Sequence, residues 1–367
     1  MLGTSLFIAA IENFVLFSTL ISLGMFLIAL IVRQITIREI WRAQPGSLAH
    51  FYTAALAIPP LASLWVVSAA LLPRLWMTAE AFAAEHAAPL HEIHLLGALT
   101  VAVEPALAYS LAGFVVAIAA GVAWSNIRGA WRVGRVVKQL DMKAAPPPSD
   151  QVALVNEVAS KSGLSVGLVM SDYPLSFVWG FRHSKLILSS GLLHTLTPVE
   201  LTGVLEHEAA HHERRDNLIK LLLSLCSYSS LAFPLSRSLV SWRATEVEMI
   251  CDEIAARRTS EPLDIAEALV KLRRQTMAGH TVSESVAAQA IVSGFVSDNA
   301  LTFQRRVDRL LTLVDAPVAD HTRKIESSTV RVSAFLFGAS LVVLSGILLY
   351  APMSVHHATE TLIEILR

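Results

Sequence analysis

EHEAAHHERRD occupies residues 206–216. It packs carboxylates, three histidines and a run of charge into a chain that is 54% hydrophobic and only 16% charged. A cluster so polar in a chain so apolar is either a reactive site or a solvated helix face. His207-Glu208-Ala209-Ala210-His211 decides between them. On a helix, positions i and i+4 share a face, so His207 and His211 can present two imidazoles to one metal ion. Glu208 is swung about 100° around the axis. It can flank the ion and reach a water beside it.

That reading requires a helix, and the upstream residues supply one. Thr197 suits the N-cap, Pro198 the first helical position and Glu200 the acid of a capping box. Leu201, Val204 and Leu205 form an apolar face, and no proline interrupts 199–217, so one helix is expected through that range. A catalytic zinc site commonly has three protein ligands plus water, so one more must come from elsewhere. TEVEMICDEIAARR, residues 245–258, offers Glu248 and Asp252 four apart on one helix face. Glu248 is the expected third ligand, and Asp252 the acceptor that fixes a ligand histidine. Glu246 and Glu253 compete, without the same pairing. A charged solvated face does not explain two histidines and an acid among apolar neighbours.

LSFVWGFRHSKLILSSGLLHTLTPVELTGVLEHEAAHHERRDN, followed by EMICD, resembles the BlaR/MecR-type antirepressor metallopeptidases of the glutamate-zincin class. The resemblance implies a multi-pass α-helical membrane protein with a cytoplasmic α+β peptidase domain between the third and fourth spans. It implies one Zn2+ per chain on His207, His211 and Glu248, with Glu208 as general base. A wider resemblance reaches HtpX-like and CAAX-type membrane proteases, which share the HExxH and a downstream ExxAD; Cys251 stands here in place of that alanine. The beta-lactam sensors carry a penicillin-binding domain after the fourth span. The 16 residues 352–367 are too few to bury a core, so that sensor domain is not expected.

Four apolar stretches, 5–32, 51–72, 95–124 and 332–351, each approach or exceed the roughly 20 residues that cross a bilayer. Basic residues orient them. Arg33, Arg38 and Arg42 follow the first; Arg128, Arg132, Arg135 and Lys138 follow the third; Arg323, Lys324 and Arg331 precede the fourth. Both termini are expected outside the inner membrane, with 125–331 a cytoplasmic peptidase domain and 352–367 a short external tail. Glu12 and Glu104 lie inside spans, as bundle contacts or at an interface. Residues 142–150 read as a linker, 151–163 as a helix ending on Gly163, and 165–171, 175–181 and 184–190 as strands.

Residues 218–240 are also apolar. A single crossing there would put Glu248 on the opposite side from His207. The segment is therefore expected in the interface, packed on the bundle, or folded as a re-entrant hairpin, with the site at the inner membrane surface.

The expected chemistry is peptide-bond hydrolysis, on an extended substrate paired with the edge of 175–181. The substrate is a protein or peptide: a cytoplasmic transcriptional repressor, the chain itself, or, in the alternative, membrane proteins under quality control. A third reading is a signalling protein with a non-catalytic zinc site. The partner environment is lipid, and a homodimer is left open. A net charge of −1 gives no reason to expect nucleic acid. His183, Arg243, Arg305 and Arg306 are candidates for oxyanion support, with surface charge the plainer reading. His212 reads as a surface residue, and Arg214, Arg215 and Asp216 as helix-end charges, Asp216 with the option of tying the helix to a neighbour. His86, His91 and His94, with His356 and His357, read as solvated segments or an external metal sensor. Cys226 and Cys251 are expected as free thiols.

Overall fold

The computed structural model describes residues 2–38, 45–71, 92–95, 99–102, 148–172, 174–180, 184–278 and 300–314, with isolated positions at 113, 120, 121, 124 and 128. Two long apolar helices open the chain, α1 (Leu2–Arg38) and α2 (Pro45–Leu71). A short antiparallel pair follows, β1 (Glu92–Leu95) and β2 (Leu99–Ala102). The remainder is α3 (Ser149–Lys161), β3 (Ser165–Val169), β4 (Ser176–Trp179), β5 (Lys185–Ser189), α4 (Ser190–Thr195), α5 (Pro198–Glu213), α6 (Asp216–Ser227), α7 (Phe233–Thr259), α8 (Pro262–Ala278) and α9 (Ala300–Val314).

Among the described residues one helical stretch, Phe17–Thr36 of α1, is long and apolar enough to cross a membrane. Residues 51–71 of the expected second span, 51–72, fall within α2, which carries Pro59 and Pro60 in its interior. Of the expected third span, 95–124, little more than its start is described. Leu99-Thr100-Val101-Ala102 pairs with Glu92–Leu95 as a strand, as its β-branched pair favours. The expected fourth span, the tail, and the side chains of Glu12, His86, His91, His94, Glu104 and His183 lie outside the described residues.

The three short strands make one mixed sheet in the order β3-β5-β4. β5 is central, parallel to β3 and antiparallel to β4. Its Leu186 and Leu188 are buried, as a strand covered on its faces requires. α3 packs beside α5 and ends at Gly163, whose φ of +68° is the left-handed conformation that closes a helix at least cost with glycine. Leu192, Leu201, Leu205, Ile265 and Leu269 join the same core between the sheet and helices α4, α5 and α8. Each such side chain contributes about 1.5–3 kcal/mol by leaving water.

A second cluster joins the two parts of the chain. Tyr52, Leu56, Leu223 and Leu239 pack together, so α6 and α7 lie against α1 and α2. Trp242 of α7 stacks on Phe26 of α1, meets Tyr52 of α2 edge-on and lies under the guanidinium of Arg33, 4.3 Å from its ring centre. Residues 218–240 are thus not one straight helix. They form a helical hairpin, with its turn between Tyr228 and Ala232. The turn meets α1: the Ser229 and Ser18 hydroxyls are 2.9 Å apart, and the Leu231 N–H donates to Thr19 Oγ1 at 3.0 Å.

Candidate metal centre

α5 begins as its sequence requires. The Thr197 side chain accepts from the Glu200 N–H, the Glu200 carboxylate accepts from the Thr197 N–H, and Pro198 fills the first turn. The helix is shorter than expected, however. It ends at Glu213, and Arg215 takes the left-handed conformation with φ 55°. A straight helix would point residue 216 well away from His211, because five residues turn the direction by about 500°. The break instead brings Asp216 back, so that His211 Nδ1 donates to its Oδ2 at 3.0 Å.

The hairpin then returns α7 beside α5. Ligand atoms of His207, His211 and Glu248 all lie within 4.8 Å of one another. Glu248 reaches His207 Nε2 and His211 Nε2 at 3.5 Å each, and the two Nε2 atoms face one another at 3.2 Å. Both Nδ1 atoms face carboxylates, His207 at 2.9 Å from Asp252 and His211 at 3.0 Å from Asp216. An Nδ1–H that donates to a carboxylate leaves a lone pair on Nε2. Two lone pairs and a carboxylate then converge, an arrangement that repels itself unless a cation sits among them. Glu248 Oε2 is buried and without a hydrogen-bond partner. The donor set, two imidazoles and one carboxylate, suits a divalent ion of the zinc type.

The electrostatics agree. Burial disfavours the His207 imidazolium, yet the neighbouring carboxylates of Asp252 and Glu248 raise its pKa. His211 is raised well above the usual histidine value: burial opposes the charge, and the adjoining Cys251 sulfur, the Glu248 carboxylate and the bond to Asp216 outweigh it. Burial would push Glu248 up, but the two histidines and Arg306 hold it well below the carboxylate range. The cluster is therefore built to hold positive charge.

Around it lies a supporting shell. Arg306 of α9 is fully buried; its Nε and Nη2 donate to the two oxygens of Asp252 at 2.7 and 2.8 Å. Its Nη1 is 3.5 Å from Glu248. Surface charge is thus the wrong reading for Arg306, and equally for the buried Arg243; both sit inward because buried carboxylates require a counter-charge. Arg305 is half-buried and meets Glu246 at 3.1 Å, which engages that competitor for the third ligand position. Glu253 meets Arg309 at 2.6 Å. Neither acid joins the cluster. Glu206 and Glu213 face away from it, clasped by Arg258 of α7 at 3.1 and 2.6 Å. Cys226 and Cys251 are free thiols, and buried Cys251 lies 3.4 Å from His211 Nδ1, beside the closer Asp216.

Glu208 is buried and accepts a hydrogen bond from Ser176 Oγ at 3.0 Å. Sequence reasoning missed Ser176, because a single serine at a strand start has no spacing to mark it. β4 is a sheet edge among the described residues. The Leu175 carbonyl accepts from Ser189 N–H, so by alternation Ser176 and Val178 turn their main-chain groups away from β5. Asn217 donates to the outward Val178 carbonyl at 2.9 Å, tying α6 to that edge.

Comparison with known proteins agrees with this region. The chain is 29% identical over 202 residues to a protein named "Protease HtpX homolog" from Acidiphilium cryptum (strain JF-5), covering 44% of this chain and 69% of that one. No solved structure matches. Residues 151–280 match the family described as Peptidase family M48. The segment holding His207, Glu208, His211 and Glu248 is therefore the one in which this chain is similar to a family of peptidases.

Proposed function

We propose that the chain is a membrane-associated zinc endopeptidase of the glutamate-zincin type, with His207, His211 and Glu248 as the metal ligands. The convergence of their three acceptor groups is the observation that carries this reading. A zinc ion held there supplies Lewis acidity toward a carbonyl and lowers the pKa of water. Glu208 takes the proton from the attacking water and passes it to the leaving amine. Ser176 holds the Glu208 carboxylate in one orientation. Asp252 and Asp216 hold the Nδ1 protons of the two histidines and so direct both Nε2 atoms inward. An extended peptide adds to the outer edge of β4, where Ser176 and the Val178 N–H face it and Asn217 closes the far end.

The test uses the full chain in detergent micelles with zinc and a mixed peptide library. Glu208→Ala should lower cleavage by roughly 10²–10⁴-fold while zinc remains bound. Cleavage at the wild-type rate would discard the catalytic reading and favour a non-catalytic signalling role. For the physiological substrate, the similarity to a protease HtpX homolog favours an HtpX-like role on membrane proteins. The alternative, cleavage of a transcriptional repressor or of the chain itself, rests on the resemblance of the HExxH and EMICD segments. Proteomics of membranes carrying wild type or Glu208→Ala separates the two: many accumulating membrane proteins support the first, one accumulating repressor the second.

A further inference from the structure

We infer that Arg243 is a positioning residue for His211, and that α2 holds it in place through Thr53. The inference rests on the reading of His211 as a metal ligand. Arg243 is buried on α7, five residues before Glu248. Its Nε donates to Thr53 Oγ1 at 2.9 Å. The Thr53 hydroxyl spends its own proton on the Ala49 carbonyl at 2.7 Å, so toward Arg243 it is an acceptor. The other end of the guanidinium, Nη2, lies 3.8 Å from Asp216 Oδ1. That oxygen is buried without a hydrogen-bond partner, while Oδ2 of the same carboxylate accepts from His211 Nδ1 at 3.0 Å. Arg214 also approaches Oδ2, at 3.4 Å. The order of contact is Thr53, Arg243, Asp216, His211.

Two features make this a joint rather than a chance ion pair. Trp242, the preceding residue, is wedged against Phe26 and Tyr52, so the packing of α1 and α2 sets where α7 presents Arg243. The guanidinium is also a rigid fork, able to bond Thr53 with one arm and face Asp216 with the other, which a lysine cannot do. A shift of α2 therefore moves the counter-charge of Asp216, and with it the orientation of a ligand histidine.

The test measures zinc affinity of the full chain in micelles by competition with a fluorescent chelator, beside kcat and KM on a cleaved peptide and the melting temperature of the zinc-free form. Arg243→Gln should weaken zinc binding about 10–100-fold and lower kcat more than KM. Arg243→Lys should recover part of the loss. Thr53→Val, which keeps shape and leaves Asp216 untouched, should weaken zinc in the same direction by less. A purely structural role would lower only the zinc-free melting temperature. If wild type binds zinc and both Arg243→Gln and Thr53→Val bind it as tightly, the inference falls and the metal reading stands. If wild type takes up no zinc, or His211→Ala binds as well as wild type, the metal reading falls and takes the inference with it.

Discussion

Asp252 shows how much one residue depends on a partner that sequence spacing does not announce. Its pairing with Glu248 four residues earlier was legible, and so was its task of meeting a histidine. Its partner Arg306 was not, because the ion pair joins residues 54 apart. A clue existed: Phe303, Arg306, Leu310 and Leu313 fall at helical spacing on one face, and all four pack inward. A charged residue in an apolar stripe signals a buried counter-charge. Arg306→Met should destabilise the peptidase region by about 3–5 kcal/mol, because Asp252 would remain buried and unpaired; denaturant unfolding in micelles measures it. Asp252→Ala should weaken zinc about 10–100-fold by releasing His207, which chelator competition would detect as a raised dissociation constant.

Among the elements, α5 was the most legible, since its start is written in four consecutive residues. Its end was not. The turn at Arg214–Arg215 uses a left-handed arginine rather than glycine, so nothing local marks it; the contacts of Asp216 and Asn217 across the fold select it. Thr197→Ala should cost about 1 kcal/mol by removing the cap. Glu200 adds a pH signature. Burial would raise its pKa, yet bonds from Lys271 and Thr197 hold it below the ordinary value. The stabilisation is therefore complete above the unfolded carboxyl value of about 4.3 and is lost as pH falls through the lower folded value. The stability difference between wild type and Glu200→Gln should be constant near neutrality and shrink below about pH 4. α4 is equally constrained. A side chain at Gly191 would place its Cβ 2.2 Å from the Asp172 carbonyl oxygen, backbone that cannot yield, so Gly191→Ala should fail to give folded protein.

For the molecule as a whole, hydropathy separated the apolar N-terminal region from the region that holds the candidate site, and the need for Glu248 to return required 218–240 to turn back. The depth of that turn lay beyond the sequence, because it depends on which residues of α1 it meets. From Arg33, level with Trp242, to Ser18, level with Ser229, α1 rises about 22 Å at 1.5 Å per residue. If α1 crosses the bilayer, the hairpin tip reaches past mid-depth, with turn polar groups bonded to Ser18 and Thr19. Leu231 at the tip is 47% exposed to the surroundings of the protein. A cysteine at 231, with Cys226 and Cys251 replaced, should resist a membrane-impermeant maleimide in sealed vesicles and react after solubilisation. Equal labelling in both would place the hairpin outside the lipid.

Thr53 and Arg306 both lie beyond residues 151–280. The stretch recognisable as a peptidase is thus not a module that can be cut out. Excised, it would keep all three candidate ligands and lose Arg306, the counter-charge of Asp252, and Thr53, the anchor of Arg243, along with the helices that cover Leu223, Leu239 and Trp242. Such a fragment should be recovered as aggregate, and one that also carries α9 should remain insoluble until α1 and α2 are restored. Attempts to make a soluble version for inhibitor screening would do better to redesign the outer faces of α1 and α2 than to remove them.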